Sequence, residues 1–305
     1  MVFLNIKNNI FFYFISKVFK QLSFYFLNQN TGYIFNKSLI NEKFNNVIFD
    51  FSNTNHFHIG DILYFIPSII WLQKNKIKIH IIHSNLSKSI IDLLNIKVNH
   101  KLNKKNCLYI STLDCMTNNR EYNNYLFFNT SDYRIKNNIG IFITEIISKK
   151  IQICVPLDNF NFWPKLKNDT IFPFKNYIIF SDEVISGSFR LNNNYKKKLF
   201  ESICNSVNNN YLIIRVGMFK STLKYSNNFI DLGSKTSISE LIYLINSKEC
   251  KEVYSFDSGI AHLGIIFGKK TNIMFKKRLN SNYLNYLKSN IFPITKSHSK
   301  IIFLN

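Results

Sequence analysis

A chain of 305 residues, 46% hydrophobic and 16% aromatic, with 30 Phe and 16 Tyr, holds enough apolar material for one large domain or two ordinary ones. Such a chain can bury the surface that offsets ordering, which excludes intrinsic disorder, and 9 Gly with 5 Pro exclude collagen-like and linker compositions. Its 39 Lys+Arg against 18 Asp+Glu give a net charge of +21, which favours anionic ligands and anionic membrane surfaces.

Nearly all of that excess is Lys, scattered apart from short runs such as Lys196-Lys197-Lys198. It reads as a compositional bias, because a nucleic-acid groove would carry Arg forks with interleaved aromatics. No nucleic-acid partner is expected. Cys107, Cys115, Cys154, Cys204 and Cys250 are odd in number, widely spaced and without a CxxC pair. Neither a disulfide framework nor a zinc site is expected from them, and they fit a reducing compartment.

In chain order, residues 10–27 (IFFYFISKVFKQLSFYFL) form the most apolar stretch, interrupted by Lys17, Lys20 and Gln21. The charges argue against a membrane span, and the lack of a small-residue cleavage site argues against a secretory signal. Two readings stay open: an interfacial helix on the inner leaflet with its Lys reaching toward headgroups, or a helix packed on the first domain. No transmembrane helix is expected elsewhere.

The spacing then predicts a strand at 46–51 (NVIFDF), a loop at 56–61, a helix at 62–74 and a strand at 77–83. A short helix at 87–95 and a strand at 107–112 follow. This alternation indicates βαβ units on a parallel sheet. Residues 163–173, with Trp163-Pro164 and Pro173, read as a linker. Beyond it come a strand at 177–181, a helix at 195–207, a strand at 211–216 and a helix at 237–246 with Thr236 or Ser237 as cap. A strand at 252–256, a loop and helix at 257–267 and a strand at 271–275 complete the series. The economical architecture is two α/β halves, 1–165 and 166–305.

Two segments carry chemistry. Residues 255–275 (SFDSGIAHLGIIFGKKTNIMF) put Asp257, Ser258 and Gly259 where a strand ends and a helix begins, the edge at which open α/β sheets bind ligands. Helix N–H groups and the helix dipole there attract phosphate, and His262 would project from the first turn. The other reading is a well-capped helix, with Asp257 or Ser258 as N-cap and His262 a satisfied polar residue. Residues 56–67 (HFHIGDILYFIP) put Gly60 and Asp61 at the first strand-to-helix junction. A carboxylate there is either a general base for an attacking hydroxyl or a helix N-cap. His56 and His58 are either anion contacts or exposed loop residues.

Together these segments resemble glycosyltransferase family 9, the heptosyltransferase-like enzymes of lipopolysaccharide assembly. The first carries the GD…P motif of that family as Gly60-Asp61-Ile62-Leu63-Tyr64-Phe65-Ile66-Pro67. The second match runs over 231–275, through Leu232-Gly233-Ser234-Lys235-Thr236-Ser237-Ile238 to Asp257-Ser258-Gly259-Ile260-Ala261-His262-Leu263. The resemblance covers about a fifth of the chain and implies a GT-B fold, two Rossmann-like domains facing each other across a cleft. It implies an inverting, metal-independent transfer without a cofactor, from a nucleotide-diphosphate sugar, typically ADP-linked, to a glycolipid or oligosaccharide acceptor.

By the resemblance, Asp61 would be the catalytic base beside the acceptor-side loop of His58 and Gly60. Asp257, Ser258, Gly259 and His262 would hold the donor. The family's small-residue and basic donor loop is poorly matched at 181–191, where Gly187, Ser188 and Arg190 are the candidates. Arg190 is either the diphosphate clamp or part of a surface ion pair. Gly264 stands where the family commonly has Ala, a change expected to matter little for the chemistry. The resemblance implies a cytoplasmic enzyme, peripheral on the inner membrane face. The competing readings are a non-catalytic relative that binds nucleotide or glycan, and a basic peripheral membrane scaffold.

Overall fold

The computed structural model describes residues 33–35, 44, 46–52, 59–93, 96, 107–112, 124–128, 139–153, 172–183, 193–207, 210–221, 228–256, 258–275 and 300–303. Two sheets organise them. The first has the strand order β1-β5-β4-β2-β3, from β1 (Tyr33–Phe35), β2 (Asn46–Phe51), β3 (Lys78–His83), β4 (Cys107–Thr112) and β5 (Tyr125–Phe128). The second has the order β11-β10-β9-β6-β7-β8, from β6 (Tyr177–Ser181), β7 (Leu212–Arg215), β8 (Phe229–Asp231), β9 (Cys250–Phe256), β10 (Lys270–Phe275) and β11 (Lys300–Phe303).

All pairings run parallel except that of β1 on β5. The first sheet is therefore mixed rather than purely parallel, with the short antiparallel strand at its edge, a common place for one. The parallel strands are near-continuous runs of β-branched and aromatic residues because both faces are covered: Val47, Ile48 and Phe49 are all fully buried.

The helices are α1 (Ile59–Lys74), α2 (Asn85–Leu93), α3 (Ile139–Ile151), α4 (Asn193–Ser206), α5 (Ile238–Asn246) and α6 (Gly259–Ile266). Their starts follow from capping chemistry. At α2, Ser84 and Ser87 exchange hydroxyl and N–H bonds (2.8 and 3.3 Å), so the helix opens two residues earlier than the spacing predicts. At α5, Ser237 and Glu240 form a reciprocal capping box, as the Ser237 alternative expects. Pro67 sits within α1, which packs on α3 with the Ser68 and Thr144 hydroxyls bonded at 2.8 Å in the buried seam.

α1 also packs against α6, and α2 against α5, so helices of the first sheet meet helices of the second. One apolar cluster accordingly includes Phe49, Phe65 and Trp71 from the first half with Ile179, Ile214 and Leu263 from the second. The opposite face of the second sheet has its own cluster, where Ile178, Phe180 and Tyr254 meet Leu199, Phe200 and Ile203 of α4. Among the described residues, no helix is long and apolar enough to cross a membrane. Residues 10–27 lie outside the described residues, as do 163–171 of the expected linker.

Candidate functional site

In each sheet the chain leaves the first-formed strand in one direction and later returns to its other side. This happens between β2 and β4 in the first sheet and between β6 and β9 in the second. Such reversals open a crevice at the carboxyl ends of the strands, where α/β proteins bind ligands. In the second sheet Ser181 ends β6 directly opposite Ser255 of β9. Both lie on the face that α5 and α6 cover. Ser181 is fully buried and its Oγ has no hydrogen-bond partner among the described residues.

α6 starts immediately beyond. Ser258 is its N-cap by backbone conformation, yet its side chain makes no capping bond; its Oγ instead pairs with Ser255 Oγ at 2.8 Å. Of the two expected cap residues Ser258 thus takes the position without the usual hydrogen bond. The hydroxyls of Ser181, Ser255 and Ser258 therefore gather at a helix N-terminus, where N–H groups and the dipole favour an anion. Gly259 is the first residue of the helix and His262 lies in its first turn.

Asp61 and Gly60 lie in the first turn of α1, so Asp61 is inside the helix rather than its N-cap. Its charge complements the helix dipole there. The starts of α1 and α6 face each other: a Cβ on Gly60 would lie 3.2 Å from His262 Cδ2. Tyr64, one turn beyond Gly60, brings its hydroxyl to 3.4 Å from His262 Nε2, its ring edge-on to the imidazole with centroids 5.4 Å apart. Which partner donates depends on the imidazole tautomer. The expected base and the expected donor histidine are thus on adjoining helix ends.

Gly264 is a packing requirement. A Cβ there would come within 2.6 Å of Thr271 Oγ1 and 3.0 Å of Val253 Cγ2, so an Ala would require Thr271, Val253 or α6 to shift.

An ionic network also occupies the ligand edge. Arg215, at the end of β7, is 1% exposed. Its Nε donates to Asp182 at 2.8 Å, Nη2 to Glu183 at 2.8 Å, and Nη1 to Asp231 at 3.0 Å and to the Phe219 carbonyl at 2.9 Å. Lys196 of α4 approaches Asp182 at 3.4 Å. Burial pulls the Arg215 guanidinium down, but Asp182 and Asp231 outweigh it and leave it above its ordinary value. Burial likewise pushes Asp231 up. The Ser221 and Gly233 N–H groups and Arg215 together overcome that and hold it below the usual carboxylate range. The ends of β6, β7 and β8 are pinned to one another by a single side chain.

His56, His58, Asp257, Gly187, Ser188 and Arg190 lie outside the described residues. The sequence reading missed Ser181, Tyr64 and the Arg215 network. For the last a signal exists: one Arg at the end of the apolar run Leu212-Ile213-Ile214, with acids closing the flanking strands, requires buried pairing. Among the described residues, no group of three or more His, Cys, Asp or Glu is arranged to hold a metal ion.

No family model matches the sequence, and no curated protein matches it. Solved structures do match the fold. The chain superposes on E. coli heptosyltransferase WaaC with ADP at a TM-score of 0.57 and 11% identity, over 85% of this chain and 93% of that one. The E. coli ADP-heptose lps heptosyltransferase II gives 0.54 and 11%, covering 85% and 90%. A glycosyl transferase family 9 structure from Veillonella parvula DSM 2008 gives 0.55 and 10%, covering 85% and 86%. The chain shares the mixed α/β fold of these glycosyltransferase structures.

Proposed function

We propose that this protein is a GT-B glycosyltransferase with halves 1–165 and 166–305. It would move heptose or another hexose-like sugar from a nucleotide-diphosphate donor to a lipopolysaccharide-core or other surface-glycan acceptor. The observation that carries this reading is the meeting of α1 and α6: Gly60, next to Asp61, lies against His262. A transferase must hold an acceptor hydroxyl and a donor's anomeric carbon between two such groups. The shared fold supports the reading, and ADP, present with WaaC, is the first nucleotide to try.

In the proposed reaction Asp61 takes the acceptor's proton as the hydroxyl oxygen attacks the anomeric carbon from the face opposite the diphosphate. The carbon–oxygen bond to the diphosphate breaks with inversion, and negative charge grows on the leaving group. The N–H groups of α6, Ser258, His262 and Arg190 stabilise that charge, with Asp257 and Gly259 shaping the sugar subsite. His58 and Gly60 line the acceptor side. Helix dipole and basic side chains supply the positive charge a metal would otherwise bring, so transfer should survive chelators. The proposed location is the cytoplasm, at the inner membrane face, where a glycolipid acceptor and a basic protein surface meet.

The test is thermal unfolding with ADP, UDP, GDP and CMP, each in the presence of EDTA. A nucleotide at a hundred times its dissociation constant adds about 2.7 kcal/mol of stability. One of them should raise the midpoint, and His262→Ala should lose the shift. With the matching donor, Asp61→Asn should keep the shift and lose transfer by about a hundred-fold or more. Unchanged transfer in Asp61→Asn removes the base assignment; no shift with any nucleotide removes the donor site.

A further inference from the structure

The ionic network around Arg215 holds something out into solvent. Met218 and Phe219, in the loop after β7, are the exposed large apolar side chains among the described residues, 60% and 67% accessible. Their backbone is fixed from below. The Met218 and Phe219 N–H groups donate to the two Glu183 oxygens at 2.7 and 3.1 Å, and the Phe219 carbonyl accepts from Arg215. Ser234 N–H donates to the Gly217 carbonyl at 2.9 Å, and a Cβ on Gly217 would strike the Glu183 carboxylate at 2.6 Å. A loop that merely joined two strands would carry polar side chains and need no buried Arg to fix it. This one presents two apolar side chains at a defined place on the ligand edge.

That place is set by strand order. β7 adjoins β6, and β6 adjoins β9, so with neighbouring strands about 4.8 Å apart the loop lies roughly 10 Å across the sheet from the start of α6. A nucleoside diphosphate anchored by its phosphates at Ser258 and the N-terminus of α6 carries its flat base about that far away. We propose that Met218 and Phe219 are the platform on which the nucleobase of the donor lies. This rests on the donor-site reading above. Stacking and thioether contact tolerate any base, since each offers a π face. The platform therefore supplies affinity for the nucleoside, and the choice among bases is made elsewhere.

The test measures binding of ADP, UDP, GDP and CDP, and of inorganic pyrophosphate, to the full chain and to its Phe219→Ala and Phe219→Trp variants. Phe219→Ala should bind the nucleoside diphosphates about ten-fold more weakly or worse. Its affinity for pyrophosphate should be unchanged, and Phe219→Trp should restore the nucleotides. Equal binding of nucleoside diphosphates by wild type and Phe219→Ala overturns the platform while leaving the phosphate site standing. Wild type that binds neither pyrophosphate nor any nucleotide overturns the donor site and the platform with it. If Phe219→Ala instead changes sedimentation while nucleotide affinity holds, the pair is a contact between copies of the chain and the platform is overturned.

Discussion

Tyr64 and His262 stand 198 positions apart in the chain, yet the Tyr64 hydroxyl and the imidazole Nε2 share a contact at 3.4 Å. An imidazole left to rotate can present either nitrogen to a ligand, and a hydroxyl on one nitrogen fixes which is offered. Tyr64 is on this account a positioning residue, acting through His262. Phenylalanine keeps the edge-on ring packing and removes the hydroxyl. Tyr64→Phe should therefore leave the unfolding midpoint of the free protein nearly unchanged. The responding nucleotide should bind more weakly by about 0.5–1.5 kcal/mol, the worth of one hydrogen bond, as read by titration calorimetry. Equal affinity would mean that the hydroxyl does not steer His262. The places of Asp61 and His262 at helix starts were legible in the sequence because each follows a strand-to-helix junction with a local signature. Tyr64 was not, because a contact across two sheets leaves no mark on local spacing.

At the level of elements, one buried guanidinium decides how the ends of β6, β7 and β8 sit. Asp182, Glu183 and Asp231 each lose water on folding, and Arg215 compensates them. Gly233 is obligatory beside it, since a Cβ there would lie 2.3 Å from Arg215 Nη1. Arg215→Met should lose about 3–5 kcal/mol at neutral pH, the cost of leaving buried charges unpaired. The pH dependence has a definite sign. Asp231 has a folded-state value below its ordinary one, so its contribution is complete above the ordinary carboxylate range and is lost as pH falls through the folded value. In Arg215→Met the part of that contribution that Arg215 supplies is gone, while the Ser221 and Gly233 N–H groups keep theirs. The stability gap between wild type and variant, from urea unfolding, should therefore narrow on going from neutral pH to about pH 3. A gap that stays constant would show that the loss is one of packing alone. Apart from β7, four residues long yet expected at 211–216, the strands divide by length. Strands of five or more residues built around β-branched and aromatic side chains, such as Tyr177–Ser181 and Asn46–Phe51, announced themselves to the residue. β1, β5, β8 and β11 are three or four residues long and gave no readable pattern in an Asn-rich chain. The sequence reading assigned no element to α3, whose Ile-rich stretch carries weak helix propensity. Its helix is made by burying Ile143, Ile146, Ile147 and Ile151.

At the level of the whole molecule, the two-sheet organisation was legible, but the way the halves share a core was not. Hydrophobic periodicity shows that a helix face is buried and is silent about what covers it. α1 and α2 bury theirs partly against α6 and α5, so apolar residues of both halves join in one cluster. Two halves with separate cores would melt separately, as multidomain chains often do. A shared core couples them, because opening either half exposes the other's apolar surface to water. Heating should therefore give one transition, with far-ultraviolet circular dichroism and tryptophan fluorescence coincident; Trp71 of α1, buried in the shared cluster, reports on the first half once Trp163, the other tryptophan, is replaced by Phe. If the proposed donor site is at α6, in the second half, the nucleotide that responds should raise the Trp71 midpoint by as much as the global one. Two transitions, of which only one moves with nucleotide, would mean that the contact of α1 with α6 carries too little energy to couple them. In that case the groups on Asp61's side and His262's side would have to be brought together by a ligand, and the two halves would be separately stable units.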